Sequence, residues 1–170
     1  MKIKGKNFHT IWLKEDDEQV VQIIDQRFLP HELVIEDLET VDDVERAIRE
    51  MHVRGAPLIG VAAAYGMYFA AMEAVDNQQF TKYIWESADK LKAARPTAVN
   101  LAWAVVQQLS MVAENYKILP SNRLENAERI KKESIERCKK IGEFGLPLIR
   151  NVFQKTKKTV NILSHCNAGW

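Results

Sequence analysis

Arg54-Gly55-Ala56-Pro57 stands at the head of a run, residues 55–72, that carries no charged side chain. Proline suits the first position of a helix, where its missing N–H is one that the helix start leaves unpaired anyway. A helix is therefore predicted from Pro57 to about Ala74, with Arg54-Gly55-Ala56 as the turn that feeds it. A helix start presents free backbone N–H groups and the positive end of the macrodipole, and a guanidinium beside it adds a forked donor. Together they suit a phosphate or a carboxylate. The same residues also suit a plain core helix whose arginine caps a neighbour, so the motif needs a second witness.

Ala94-Arg95-Pro96-Thr97 supplies one. It too places an arginine before a proline and ahead of an apolar stretch, Leu101–Val112. Two guanidinium groups, each at a predicted helix start, make a shared anion pocket the expectation. The third chemical group is Cys166, in His165-Cys166-Asn167-Ala168-Gly169 after the strand-like Thr159–Ser164. Open α/β sheets bind ligands beyond the carboxyl ends of their strands, and an anionic substrate, a helix start or His165 would each bear on the thiol. An exposed structural cysteine fits the same turn equally well. His165 and Cys166 are neighbours on an extended chain and point to opposite faces, which argues against a Cys–His pair made of these two.

Other chemistries find less support. His9, His31, His52 and His165 are scattered, so no metal cluster is expected. The seven glycines form neither G-x-G-x-x-G nor a Walker A loop. Cys138 falls on the apolar stripe of a charged helix and is expected to pack there.

The elements that must position these groups follow from periodicity. Short strands are predicted at Phe8–Leu13, Val20–Ile24 and Leu33–Leu38, a three-stranded antiparallel meander. Thr40 is expected to cap a helix with Val44, Ala47, Ile48 and Met51 on one face. The uncharged helix after Gly55 is apolar nearly all round, which marks a buried helix. It reaches the ~18 residues of a membrane span, but alanine and glycine replace the leucine expected there. Gly60, Ala63, Ala64 and Gly66 would admit close neighbours. Further helices are predicted at about Gln79–Ala93, over Leu101–Val112, and from Pro120-Ser121-Asn122, with Asn122 and Glu125 at capping-box spacing. Gly142, Gly145 and Pro147 are expected to break the last one before Leu146–Phe153.

A 170-residue chain with 46% hydrophobic and 28% charged residues is globular rather than disordered. Its net charge of +1 gives no electrostatic case for nucleic acid or an anionic membrane. The first residues contain no signal-peptide core, and two cysteines without a pairing pattern point to a reducing, cytoplasmic setting.

IWL at 11–13, IIDQRFLP at 23–30, AIREMHVRGAPLIGVAAAYGM at 47–67, ARPTAVNLAWA at 94–104 and ILSHCNAG at 162–169 occur in this order. Taken together, the chain resembles the methylthioribose-1-phosphate isomerase family of methionine salvage. The resemblance implies an α+β N-terminal domain, residues 1–154, with a small β meander followed by helices. Residues 155–170 would then be the linker and first strand of a truncated Rossmann-like domain. It implies a homodimer with a sugar-phosphate substrate and no cofactor. Arg54, Gly55, Ala56 and Arg95 would bind that substrate, and Cys166 would stabilise the transition state. The family's catalytic aspartate belongs to the C-terminal half of its catalytic domain, so these 170 residues are expected to be inactive alone. Three alternatives stay open: a ribose-1,5-bisphosphate isomerase, a regulatory subunit of the translation initiation exchange factor, and a bare scaffold.

Overall fold

The computed structural model describes residues 2–3, 5–75, 78–114, 120–163 and 165. A two-residue hairpin, β1 (Lys2–Ile3) and β2 (Lys6–Asn7), precedes an antiparallel sheet of β3 (Ile11–Lys14), β4 (Asp17–Ile24) and β5 (Ile35–Leu38) in the order β3-β4-β5. The meander is as predicted; the opening hairpin is additional. Side chains alternate between the two faces of a strand. One row, Trp12–Gln22–Asp37, is polar and hydrogen-bonded across the strands: Trp12 Nε1 donates to Gln22 Oε1 at 2.9 Å and Gln22 Nε2 to Asp37 Oδ1 at 2.7 Å. The other face sends Ile11, Val21, Ile23 and Leu38 into the core.

Five helices follow: α1 (Val41–Arg49), α2 (Ala56–Glu73), α3 (Phe80–Ala94), α4 (Val99–Glu114) and α5 (Pro120–Thr156). Thr40 caps α1 through a full capping box, its hydroxyl accepting from Asp43 N and the Asp43 carboxylate accepting from Thr40 N. Helix α2 is the axle of the molecule, touching β3 and all four other helices. It is buried from Ile59 to Ala71 because no residue from Ala56 to Met72 is charged, on any side of the helix. Its glycines have distinct neighbours. A Cβ on Gly60 would lie 2.9 Å from the Asn100 carbonyl oxygen of α4, and one on Gly66 would lie 3.0 Å from methyl groups of Leu91 and Val44. The close approach expected of these residues is thus what seats α4 and α3 on the axle.

Four expectations are corrected. Helix α5 runs unbroken through Gly142, Gly145 and Pro147. Proline costs a helix one hydrogen bond, ~3 kcal/mol, yet the Lys-, Arg-, Glu- and Leu-rich flanks are good helix formers and carry the helix past it. Its start is at Pro120, two residues ahead of the cap expected at Asn122. Cys138 does not pack: of the predicted stripe, Leu124, Ala127 and Ile130 are buried, whereas Cys138 and Ile141 are exposed. Past Ile130, α5 has no further buried residue. Finally, residues 159–163 form no strand. A strand exists only through the ladder it shares with a partner, and among the described residues none pairs with this segment. Ser164 lies outside the described residues. No helix among the described residues is long and apolar enough to cross a membrane.

Candidate functional site

The site is built on the turn that feeds α2. Gly55 is its N-cap with φ 102°, a left-handed value that favours glycine. Pro57 falls within the first turn, and no acidic residue is present there to neutralise the helix start. Ala56 is the exposed first residue of the helix.

Arg54 is half-buried and held from behind by the loop after β4. Its Nη2 donates to the Gln26 carbonyl at 2.8 Å, Gln26 Nε2 donates back to the Arg54 carbonyl at 3.4 Å, and Gln26 N donates to the His52 carbonyl at 2.8 Å. The loop is itself braced. Buried Asp25 accepts from Arg27 N, Nε and Nη2 at 3.0, 3.0 and 2.6 Å. Burial pushes the Asp25 carboxyl up, but the bonds from Arg27 outweigh it and hold the group below the ordinary carboxylate range. His52 Nδ1 lies 2.6 Å from Glu36 Oε2.

Asp25, Glu36 and His52 also form a grouping whose ligand atoms lie within 4.8 Å of one another. Their spacing of 11 and 16 residues hid it in the sequence. Asp25's oxygens are engaged by Arg27, and Glu36 by His52, so the grouping serves as a brace behind Arg54.

In front of Arg54 opens a cleft of about 290 Å³. Arg54, Gly55 and Pro57 form one side, and Lys131, Ser134 and Cys138 of α5 the other. Phe8, Ile11, Leu58, Val61 and Ile135 form an apolar wall between them, with His9 and Thr10 also lining the space. Lys131 Nζ lies 2.6 Å from Glu128 Oε2 and 3.2 Å from the Tyr65 hydroxyl, which itself donates to Glu128. Tyr65 is buried, and that burial, with the Glu128 carboxylate, raises its hydroxyl well above the ordinary tyrosine range. Among the described residues, no carboxylate lines the cleft. The described lining can bind: it offers a helix start and a guanidinium for an anion, and an apolar surface for an uncharged group.

Of the residues singled out in the sequence, Arg54 and Gly55 line this cleft and Ala56 adjoins it. Arg95 does not line it; it is half-buried at the C-cap of α3. The two Arg-Pro motifs also differ in structure. Pro57 is inside a helix, whereas Pro96 is the second residue of a turn closed by Ala98 N donating to the Arg95 carbonyl at 2.9 Å, ahead of α4. The two helix starts nonetheless meet, through Gly60 against Asn100, and a small groove lined by Pro57, Gly60, Asn100, Trp103 and Arg137 runs between them. Cys166 lies outside the described residues. Lys131 was missed because a run of alternating charges reads as a solvated face, and Ser134 and Cys138 because they fall on the apolar stripe and read as packing positions; what marks Lys131 is a contact to Tyr65, 66 positions away.

Comparison with known proteins adds a second line. The model of the initiation factor 2 subunit family matches residues 52–170. The methylthioribose-1-phosphate isomerase of Desulfosudis oleivorans is 49% identical over 165 residues, 94% of this chain and 44% of its own length. The protein of the same name from Desulfatibacillum aliphaticivorans is 43% identical over 173 residues, covering all of this chain and 47% of its own. Among solved structures, 5-methylthioribose 1-phosphate isomerase from Pyrococcus horikoshii OT3 superposes with a TM-score of 0.66 at 33% identity, over 73% of this chain and 36% of that one. The translation initiation factor eIF-2B delta subunit from A. fulgidus gives 0.73 at 32% identity, over 84% and 42%. The chain spans about half the length of the curated relatives it matches.

Proposed function

The chain belongs to the initiation factor 2 subunit family, and on that premise we propose that it is the N-terminal part of an isomerase converting 5-methylthioribose 1-phosphate into 5-methylthioribulose 1-phosphate in methionine salvage. The observation that carries this is the Arg54-Gly55 helix start opening onto a cleft that is part cationic and part apolar. It lies in a stretch shared with relatives that bear that name.

The substrate has two unlike ends, a phosphate and a methylthio group, and so does the cleft. Arg54, Gly55 and Ala56 take the phosphate on guanidinium and backbone N–H groups, and the resemblance to the isomerase family adds Arg95, outside the Arg54 cleft in the α3–α4 turn, as a further substrate contact in the full enzyme. The reaction moves the hydrogen on carbon 2 to carbon 1. Carbon 2 becomes the carbonyl, carbon 1 the CH₂ that carries phosphate, and the ring oxygen ends as a hydroxyl, so no atom is gained or lost. Cys166 stabilises the transition state. Proton movement calls for a positioned acid–base group, and the described cleft lining has no carboxylate, so the 170 residues bind but do not turn over. The full enzyme places residues 1–154 as an N-terminal domain and 155–170 as the entry to a Rossmann-like catalytic domain. It works without a cofactor as a cytoplasmic homodimer.

A second reading rests on the A. fulgidus subunit, whose fold covers more of this chain: a regulatory, non-catalytic protein. Turnover decides between them. The full-length protein should convert methylthioribose 1-phosphate, and an Arg54→Ala variant should lose most of that activity. A folded full-length protein with no turnover of any pentose phosphate supports the regulatory reading.

A further inference from the structure

We propose that the apolar wall of the Arg54 cleft, formed by Phe8, Ile11, Leu58, Val61 and Ile135, seats the uncharged end of the sugar phosphate and excludes a second phosphate there. This rests on the isomerase reading and deepens it, by assigning the residues that separate a 5-methylthio substrate from a 5-phosphorylated one.

The wall comes from three parts of the chain, the approach to β3, α2 and α5, which converge on one cavity. Ile11 and Val61 are each 3% exposed, so the surface is set in the core rather than laid over it. Leu58 and Val61 lie three and six residues beyond Gly55, on the order of 5–9 Å along the helix axis. That is comparable to the length of a pentose, so a phosphate at the helix start directs the far end of the sugar against these side chains. A thioether or methyl group there leaves water for an apolar surface. A phosphate would lose its hydration, and a buried anion is tolerated only when paired.

The cation on the opposite wall does not supply that pairing. Lys131 is locked in an ion pair with Glu128 at 2.6 Å and against the Tyr65 hydroxyl, so its charge is already matched. His9, a further ionisable group among the described residues lining the cleft, is exposed and remains in water rather than against the wall. A second phosphate would have to break the Tyr65–Glu128–Lys131 cluster or stand unpaired among five apolar side chains.

The experiment compares kcat/KM of the full-length protein for methylthioribose 1-phosphate and ribose 1,5-bisphosphate. Ile135→Lys puts an unpaired cation on the wall from an exposed position of α5, where the fold tolerates it. Ile141→Lys makes the same change on the same helix outside the cleft. The parent should favour the methylthio substrate by about 100-fold or more, on the scale that a site can reject a group it leaves unpaired. Ile135→Lys should narrow that preference by about tenfold or more, through KM, and Ile141→Lys should leave it where it was. An unchanged preference in Ile135→Lys, or an equal change in both variants, overturns the assignment while leaving the isomerase reading intact. A parent with no turnover of either substrate overturns both.

Discussion

Arg54 and Gln26, 28 positions apart, hold each other through their main chains: the guanidinium Nη2 donates to the Gln26 carbonyl at 2.8 Å and the Gln26 amide donates to the Arg54 carbonyl at 3.4 Å. The arginine at the head of α2 is thereby aimed by the loop that leaves the sheet. Removing it has two separable effects. Arg54→Ala strands the Gln26 carbonyl and should cost about 1 kcal/mol of stability. On the proposed isomerase reading it should also lower kcat/KM of the full-length protein for the sugar phosphate about 100-fold or more, the scale of a lost charge-assisted contact to substrate. Arg54→Lys keeps a charge but not the fork, so it should recover stability better than turnover. Thermal melts and steady-state kinetics on the two variants check this.

The brace behind Arg54 has a pH signature. The Asp25 carboxyl is held below its ordinary value by Arg27, against the upward push of its burial. A carboxylate with a depressed folded pKa contributes stability that is present above its unfolded value, near 3.8, and lost as pH falls through the lower folded value. The wild-type chain should therefore lose stability on acidification below about pH 4 more steeply than Asp25→Asn, which carries no proton-linked term at that position. Asp25→Asn should also be less stable at neutral pH, because Arg27 loses its charged partner. Urea unfolding midpoints from pH 3 to 7 give both slopes.

The two glycines of α2 make a graded test of packing. An added methyl on Gly60 would stand 2.9 Å from a backbone oxygen of Asn100, whereas one on Gly66 would stand 3.0 Å from the ends of flexible side chains, Leu91 and Val44. Backbone yields less readily than a leucine methyl. Alanine gains up to ~1 kcal/mol over glycine in a helix interior, and overpacking costs ~1–3 kcal/mol. Gly60→Ala should thus be clearly destabilising and should loosen α4 from the start of α2. Gly66→Ala should be milder. Chemical denaturation measures the order, and equal effects would mean that the Asn100 carbonyl moves freely.

These cases show where sequence was enough and where it was not. Thr40, Gly55 and Pro57 act through backbone within a few residues, so cap, turn and helix start could be read directly. The uncharged circumference of α2 announced its burial for the same local reason. The Arg54 cleft is different: its far wall is on α5, and Lys131 earns its place through Tyr65 and Glu128. Nothing in the spacing of a charged run distinguishes that lysine from its solvated neighbours. Pro96 misled for a related reason, since proline before an apolar stretch fits a helix start and the second place of a turn alike. Pro147 and the two glycines of α5 lower helix propensity, but neighbouring residues decide whether a helix stops.

The tyrosines provide a test of that distant cluster. Tyr65 is raised by burial and by Glu128, Tyr68 by burial and the nearby carboxylates of Glu18 and Asp17, and Tyr83 is pushed up to about 12 by burial and Glu73. A phenol with a raised folded pKa contributes stability that is complete below its unfolded value, near 10, and lost as pH rises toward the folded one. On a Tyr116→Phe background, which leaves Tyr65, Tyr68 and Tyr83 as the remaining phenols, the folded chain should accordingly show little tyrosinate absorbance at pH 10.5, where most phenols of an unfolded chain are ionised, and should gain it together with loss of helical signal as the fold gives way. Tyr65→Phe removes the donor to Glu128 and the acceptor beside Lys131. It should shift that alkaline transition upward in pH while lowering stability at pH 7, because the half-buried Glu128 carboxylate and Lys131 ammonium lose the hydroxyl they share. Tyrosinate appearing at pH 10.5 with the helices intact, and disappearing in Tyr65→Phe, would mean that the hydroxyl of Tyr65 is open to solvent and that Lys131 is not held where the cleft requires it.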